Sequence, residues 1–145
     1  MKVIARYLLF LCAAVATLGC SSEPGDEAGK AACYEMEFGT PPPAGVTNLR
    51  AKQYVVQDTV VAWLRFEATP EIVDSLLKRF APSDRKAFDE ASGGANTPEW
   101  WKPDGDQITV FYSVEGWSKD FPNSTAVIAH DAGKRVVYFS HTAFH

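Results

Sequence analysis

The sequence predicts an α+β domain, in which an antiparallel sheet of about five strands carries one or two helices packed on one face. Three observations favour this fold class. Apolar and polar residues alternate along Thr59 to Glu67, an amphipathic helical pattern covers Thr69 to Phe80, and the C-terminal section has the pattern of a hairpin. Strands that precede and follow a helical middle are typical of α+β domains. The 145 residues are enough for one such domain with an N-terminal extension.

The N-terminal residues have the layout of a secretory signal peptide. Lys2 and Arg6 precede an uninterrupted apolar run from Tyr7 to Leu18. This run is shorter than the about 20 apolar residues that a membrane-spanning helix needs. We therefore expect residues 1–19 to be removed after export.

The run Thr17-Leu18-Gly19-Cys20 resembles the cleavage motif of bacterial lipoproteins. Gly19 and Cys20 match that motif, and Thr17 stands where the family most often has Leu. The resemblance implies that acyl chains on Cys20 hold the protein on a membrane. Because Ser21 follows Cys20, the resemblance also implies that the protein lies on the outer membrane and faces the periplasm in a Gram-negative host. The alternative is cleavage by the ordinary signal peptidase after Ala14-Val15-Ala16, which would release the protein.

A flexible tether is predicted between the lipid and the folded part. Residues 20–44 form this lipidated N-terminus and tether, and residues 45–145 form a single domain; the alternative is that Cys33 to Phe38 docks on that domain. The segment from Ser21 to Lys30 has no aromatic or branched apolar side chain, so it buries too little surface to fold. Pro41-Pro42-Pro43 indicates a short polyproline II spacer at the entrance to the domain.

The cysteine count leaves one thiol without a partner. Cys12 leaves with the signal peptide and Cys20 is used by lipid, so Cys33 has no second cysteine in the exported chain. Cys33 is then either a small buried side chain or the site of a disulfide between two chains. The sequence leaves both open.

Two strand regions are expected next. The first covers Val46 to Leu49 and Tyr54 to Val56, and the second covers Thr59 to Glu67. In the second strand one face should be core, because it carries only apolar side chains, whereas the other face carries Trp63 and Arg65. The core face consists of Val60, Ala62, Leu64 and Phe66.

Two helices are expected after these strands. Thr69 stands at the N-cap of the first, followed by Pro70 and Glu71, which are favourable in a first turn. Its apolar side should pack on the sheet; that side consists of Ile72, Val73, Leu76, Leu77 and Phe80. The second helix begins at Pro82-Ser83-Asp84 and ends at Gly93-Gly94.

The remaining elements are strands joined by loops. A loop with two tryptophans runs from Pro98 to Pro103, and Ile108 to Val114 alternates as a strand. After a polar connection, Thr125 to Ala129 and Arg135 to Phe144 form the hairpin. In its turn, Gly133 suits a left-handed position.

The exported part resembles a type of small bacterial envelope protein to which no activity is assigned. The resemblance rests on a strand, a capped helix, a Trp-Trp loop between prolines and a terminal hairpin. These pieces are Trp63-Leu64-Arg65-Phe66, Thr69 to Phe80, Pro98 to Pro103 and Ala126 to Phe139. The resemblance therefore supports a fold and a location in the cell envelope, but it implies no activity.

Charge excludes a nucleic-acid partner. The whole chain carries 14 basic and 18 acidic side chains, and removal of Lys2 and Arg6 leaves 12 against 18. A nucleic-acid binder needs a concentrated basic stripe, but here the basic residues are scattered among carboxylates along the sequence.

Candidate catalytic and metal-binding residues are few. We expect His130 and Asp131 to be solvated turn residues, because neighbours in a strand face opposite ways. His141 and His145 lie too far apart in an extended segment to share a metal ion, so no metal or cofactor is predicted.

One catalytic hypothesis involves carboxylates. Glu99 with Asp104 or Asp106 flanks the Trp100-Trp101 loop and would suit a small envelope hydrolase. Acids in a Pro-Gly-Asp loop are more often ordinary turn residues.

The main functional hypothesis is a non-enzymatic envelope module that binds a protein or polymer. The sheet face opposite the core would carry Trp63, Arg65 and Phe111, with Trp100 and Trp101 beside it. Aromatic surface combined with arginine is typical of binding hot spots. The alternative interpretation is that Trp100 and Trp101 fold back to shield that face.

Overall fold

The fold is built on one antiparallel sheet. The computed structural model describes residues 20–144, so the predicted signal peptide at 1–19 lies outside the described residues. The elements of this part of the chain are β1 (Cys20–Ser22), α1 (Glu27–Phe38), β2 (Thr47–Val56), β3 (Thr59–Glu67), α2 (Pro70–Leu77), β4 (Ala81–Pro82), α3 (Arg85–Ser92), β5 (Ile108–Glu115), β6 (Asn123–Asp131) and β7 (Val136–Phe144). The strand order is β1-β2-β3-β7-β6-β5-β4, and every neighbouring pair is antiparallel. Within residues 20–144, no helix is long and apolar enough to cross a membrane.

The predicted fold class is confirmed, but the details differ. The described residues form seven strands and three helices, where the sequence predicted about five strands and one or two helices. The additional strands are the short edge strands β1 and β4, of three and two residues. Such short segments carry too little alternation to be recognised from sequence.

Both faces of the sheet are covered. We call them the α1 face, where α1 and α2 pack, and the α3 face, where α3 packs. The core on the α1 face is the larger and includes Tyr34, Leu64, Phe66, Trp117, Ile128 and Phe139. The core on the α3 face includes Phe88, Ile108, Val127, Ala129 and Tyr138. The expectation of helices on one face is therefore wrong. Residues 126–130 of β6 are all buried, as expected for a strand covered on both faces.

Helix α1 occupies 12 residues of the predicted tether at residues 20–44. Its N-cap Asp26 accepts a hydrogen bond from the Gly29 amide at 3.3 Å, and Gly39 ends it in a left-handed conformation with φ 79°. Cys33 and Tyr34 are buried against the sheet. The prediction of a flexible segment fails because the apolar residues that anchor this helix begin only after Lys30, and packing rather than local composition stabilises it.

The two predicted middle helices are present with shorter bounds. Thr69 occupies the N-cap of α2 but makes no side-chain capping bond, and the helix ends at Leu77 rather than Phe80. Phe80 nevertheless packs on Trp117, with ring centroids 5.1 Å apart. At the start of α3, Asp84 accepts from the Ala87 amide at 2.8 Å.

The C-terminal hairpin is confirmed, but its turn differs from the prediction. Lys134, with φ 52°, takes the left-handed position that was expected at Gly133. Asp131 organises the turn by accepting from the Arg135 and Val136 amides at 2.7 and 2.8 Å. Burial raises the pKa of Asp131, but these hydrogen bonds and one from Gly133 outweigh it and lower the pKa overall. The strong Asp131 contacts thus hold a turn in which a lysine tolerates positive φ.

Candidate functional site

Trp101 shields the α3 face. The loop from Gly93 to Gln107 returns across this face after α3, and it stacks the Trp101 ring on Phe88 with centroids 5.8 Å apart and an interplanar angle of 11°. The edge of Trp101 meets Tyr138 at 4.9 Å. The interpretation that this tryptophan folds back to shield the sheet is confirmed, since Trp101 is partly buried against the core of the α3 face.

Trp63 is also a core residue. It is 2% exposed, and its indole N–H donates to the Ser92 carbonyl oxygen at 2.8 Å. Ser92 is the last residue of α3, so this bond ties the end of that helix to the middle of the sheet. The expectation of an open aromatic face carrying Trp63 is wrong, because α3 covers it.

Arg65 and Trp100 keep access to solvent. The Arg65 side chain is 16% exposed. Trp100 is half-buried, and its indole N–H donates to Glu23 Oε1 at 2.5 Å. This contact joins the segment after β1 to the tryptophan loop. Of the four predicted binding residues, these two therefore remain available to a partner.

A hydrogen-bonded network fixes Arg65. Its guanidinium donates to Asp106 Oδ2 from Nε and Nη2 at 3.1 and 3.0 Å, and Tyr138 Oη donates to the same oxygen at 2.6 Å. The pKa of Tyr138 is raised to about 12, mainly by burial and then by the hydrogen bond and charge of Asp106. Arg65 acts in the opposite direction and lowers this pKa, but its effect is smaller. Burial by itself lowers the pKa of Arg65, but the hydrogen bond to Asp106 contributes to a net rise. Tyr138 is thus a neutral donor and Arg65 a fixed cation at physiological pH.

Arg65 and Trp100 line an open groove, which we call the Trp100 groove. Its main recess has a volume of about 870 Å³ and an adjoining recess has about 500 Å³. Both recesses share Arg50, Trp100 and Lys102. The main recess adds Lys30, Arg65 and Asp106, and the adjoining one adds Glu23, Lys52 and Glu99.

The cations of the groove are only partly neutralised. Lys30 pairs with Glu27 at 2.9 Å, and Arg65 pairs with Asp106. In contrast, Arg50, Lys52 and Lys102 form no salt bridge within the described residues. The two recesses together are lined by five cations and four carboxylates, the latter being Glu23, Glu27, Glu99 and Asp106. The groove therefore has a small excess of positive charge, although the chain as a whole has a formal net charge of −4.

Two of these cations are forced close together by the sheet. Arg50 on β2 is the direct cross-strand partner of Arg65 on β3. Directly opposite side chains lie on the same face, and like charges in this arrangement destabilise a sheet. Lys52, two residues further along β2, follows on the same face. An anion bound between these side chains would relieve the repulsion.

The sequence contained a usable indication of this cluster. Arg50 and Lys52 are two residues apart, which is the spacing of side chains on one face of a strand. Neither residue was predicted as a candidate, because the first predicted strand region is interrupted after Leu49. The structure joins that region into the continuous strand β2.

The predicted carboxylate dyad is not assembled. Asp106 is held by Arg65 and Tyr138, and Glu99 lines the adjoining recess. Asp104 lies in another pocket beside α3, where its hydrogen bond to Arg85 at 2.6 Å, and then the charge of Arg85, lower its pKa. A general acid in glycoside hydrolysis needs a raised pKa and a second carboxylate facing the same bond. The arrangement does not provide that pair.

His130 is buried rather than solvated. It is 2% exposed and stacks on Tyr112 with ring centroids 5.9 Å apart, so the expected turn position applies only to Asp131. Within residues 20–144, no group of three or more His, Cys, Asp or Glu side chains could hold a metal ion. His145 lies outside the described residues.

A buried polar cluster that was not predicted from the sequence lies under α1. His141 Nδ1 is 3.0 Å from Glu37 Oε2, and the two side chains are 3% and 4% exposed. Their alignment does not make a hydrogen bond, whereas the Trp117 indole N–H donates to the same oxygen at 3.2 Å. Cys33 lies one helical turn before Glu37. Burial, and then the charge of Glu37, raise the pKa of Cys33 to about 11. The thiol is therefore a poor nucleophile here.

We found no protein-family model, no curated protein and no solved structure that matches the chain. The proposal below accordingly rests on the residues of the chain itself.

Proposed function

We propose that this protein is a lipid-anchored bacterial envelope lipoprotein that acts as a non-enzymatic binding module for an anionic sugar polymer. Acyl chains on Cys20 would hold it on a membrane, the outer membrane facing the periplasm in a Gram-negative host. The polymer would bind in the Trp100 groove. The lipoprotein motif supports the location, and the groove supports the binding activity.

The unneutralised cations carry the proposal. Arg50 lies directly opposite Arg65 in the sheet, and Lys52 and Lys102 lie in the same groove without salt-bridge partners among the described residues. Guanidinium and ammonium groups bind carboxylate and phosphate groups by charge-assisted hydrogen bonds. Arg50 and Arg65 carry like charges at directly opposite positions of the sheet, and a bound anion would offset their repulsion.

Trp100 adds a preference for rings. A half-buried indole offers a rigid apolar surface, and the contact with Glu23 limits its rotation. The groove is lined mainly by charged and polar side chains and is open along its length, which suits a hydroxyl-rich polymer better than an apolar peptide. An alternating set of anionic groups and sugar faces would match these contacts.

Calorimetric titration with polygalacturonate, an anionic sugar polymer, and with neutral dextran tests this function. We expect binding of polygalacturonate only, weakened by added salt because exposed charges are screened. Arg50→Gln should weaken binding about tenfold, the equivalent of one charged hydrogen bond. Trp100→Ala should weaken it severalfold.

The matched control is Arg135→Gln, which makes the same charge change at an exposed position outside the groove. It should bind polygalacturonate as the unaltered chain does. Equal binding of dextran and polygalacturonate, or equal effects of the two arginine variants, would contradict the proposal. Intact mass of protein purified from bacterial membranes tests the anchor separately, and an unmodified Cys20 would refute it.

A further inference from the structure

The residue proposed to carry lipid is already part of the sheet. In β1, Cys20 pairs with Val55, Ser21 with Tyr54 and Ser22 with Gln53 of β2. Paired Cα atoms in antiparallel strands lie about 5 Å apart. No flexible segment therefore separates a membrane anchor at Cys20 from the folded domain.

The exposed large apolar side chains lie at the same end of the sheet. Among the described residues these are Val55, 40% exposed, and Phe144, 52% exposed. Val55 is the partner of Cys20, and Phe144 pairs with Thr59 at the start of β3. We call this region the Val55 end, made of Cys20, Val55, the β2–β3 turn at residues 56–59 and Phe144.

Both sheet faces contribute to the Val55 end. Val55 is separated by an even number of residues from Leu49 and Ala51 in β2, so it lies with them on the α1 face. Phe144 is likewise an even number of residues from Tyr138 in β7, so it lies on the α3 face. A flat partner that contacts both side chains at once must approach along the strand direction. This geometry suits a surface that meets the sheet end-on.

We propose that the Val55 end docks end-on against the lipid bilayer. The inference rests on the proposed lipid anchoring and adds a fixed orientation to it. Two apolar side chains bind a bilayer weakly by themselves, but attachment at the neighbouring residue gives them a high effective concentration at the surface. The exposed charged residues of the turns at this end include three acids, Asp58, Glu115 and Asp120, against one base, Lys119. Apolar contact rather than attraction to anionic lipid therefore drives the docking.

The orientation places the binding groove away from the membrane. Arg65 is six residues along β3 from Thr59, which corresponds to about 20 Å at about 3.3 Å per residue. The β6–β7 turn lies at the same far end of the sheet. Lys52, in the adjoining recess, is three residues from Val55 along β2, which corresponds to about 10 Å. The Trp100 groove would therefore extend from about 10 to about 20 Å above the lipid, with its main recess farther from the membrane.

Fluorescence quenching in vesicles tests the docking. Full-length Asp58→Cys and Ala132→Cys variants are produced in a bacterium, and the membrane-bound protein is purified, labelled with an environment-sensitive fluorophore and reconstituted into phosphatidylcholine vesicles. Position 58 lies in the β2–β3 turn, at the Val55 end of the sheet. Position 132 is the matched control, because it is exposed in the β6–β7 turn at the opposite end of the sheet. The buried Cys33 labels slowly, because its pKa is raised to about 11.

We expect lipids that carry a quencher near the headgroup to quench the label at position 58 at least twofold more than the label at 132. Added salt should not change this ratio, and Val55→Ser combined with Phe144→Ser should lower it. Equal quenching at both positions would show a domain without fixed orientation and overturn the inference.

Intact mass of the same sample separates the two proposals. Acylated Cys20 with equal quenching would refute the docking alone. An unmodified Cys20 would refute the lipid anchor, and with it the docking that depends on the anchor. Unchanged circular dichroism shows that the serine variants remain folded.

Discussion

The buried thiol of Cys33 makes stability depend on alkaline pH. Its pKa is raised from 9.0 to about 11, by burial first and by the charge of Glu37 second. In the unfolded chain the thiol has its ordinary pKa and loses its proton earlier. The stabilisation is therefore fully present below pH 9 and is lost between pH 9 and 11. At pH 10 the loss is about 1 kcal/mol, because one pKa unit corresponds to about 1.4 kcal/mol.

Urea unfolding at pH 7 and pH 10 measures this loss, with a reducing agent present to keep the thiol free. The unaltered chain should lose about 1 kcal/mol more between the two pH values than Cys33→Ala does. Tyr34 and Tyr138, whose pKa values are also raised to about 12, titrate in both proteins and cancel in the comparison. Equal losses in both proteins would refute the reasoning. A disulfide between chains through Cys33 would require α1 to leave the sheet.

Three further substitutions test the packing of the α3 face and the hairpin turn, each by urea unfolding at pH 7. Phe88→Ala should lower the free energy of unfolding by about 3 to 5 kcal/mol, because this fully buried ring supports Trp101. A loss below about 1 kcal/mol would mean that α3 does not cover the sheet. Trp63→Phe should cost about 1 to 3 kcal/mol by leaving the Ser92 carbonyl oxygen without its donor, and an unchanged midpoint would argue against that bond. Lys134→Gly should raise the free energy of unfolding by about 0.5 kcal/mol relative to Asp74→Asn, since both variants lose the exposed Lys134–Asp74 ion pair and only the first relieves positive φ. An equal free energy of unfolding in the two variants would place the strain elsewhere.

Local patterns in the sequence were sufficient to predict β3, the start of α3 and the C-terminal hairpin. The alternation in β3, the capping residues of α3 and the long C-terminal hairpin each depend on residues within a few positions of one another. The core side of β3 followed from the same alternation, since Leu64 and Phe66 are buried on the α1 face as expected. These features depend on spacing, and spacing is visible in a sequence.

The layers of the domain depended on contacts between distant segments. Trp63 has the same local pattern whether its face is open or covered, and only the return of α3 and the tryptophan loop buries it. Helix α1 could not be recognised from the composition of Ser21 to Lys30, because its stability comes from Cys33 and Tyr34 against the sheet.

The same division applies to the candidate site. The sequence by itself determined that Arg65 and Trp100 are candidates, since arginine and tryptophan are the side chains that recognise anions and rings. Only the tertiary structure selected them over Trp63 and Trp101, and placed Arg50 beside Arg65. Residue chemistry is a local property of the chain, whereas burial and the meeting of charges depend on which strands and helices become neighbours.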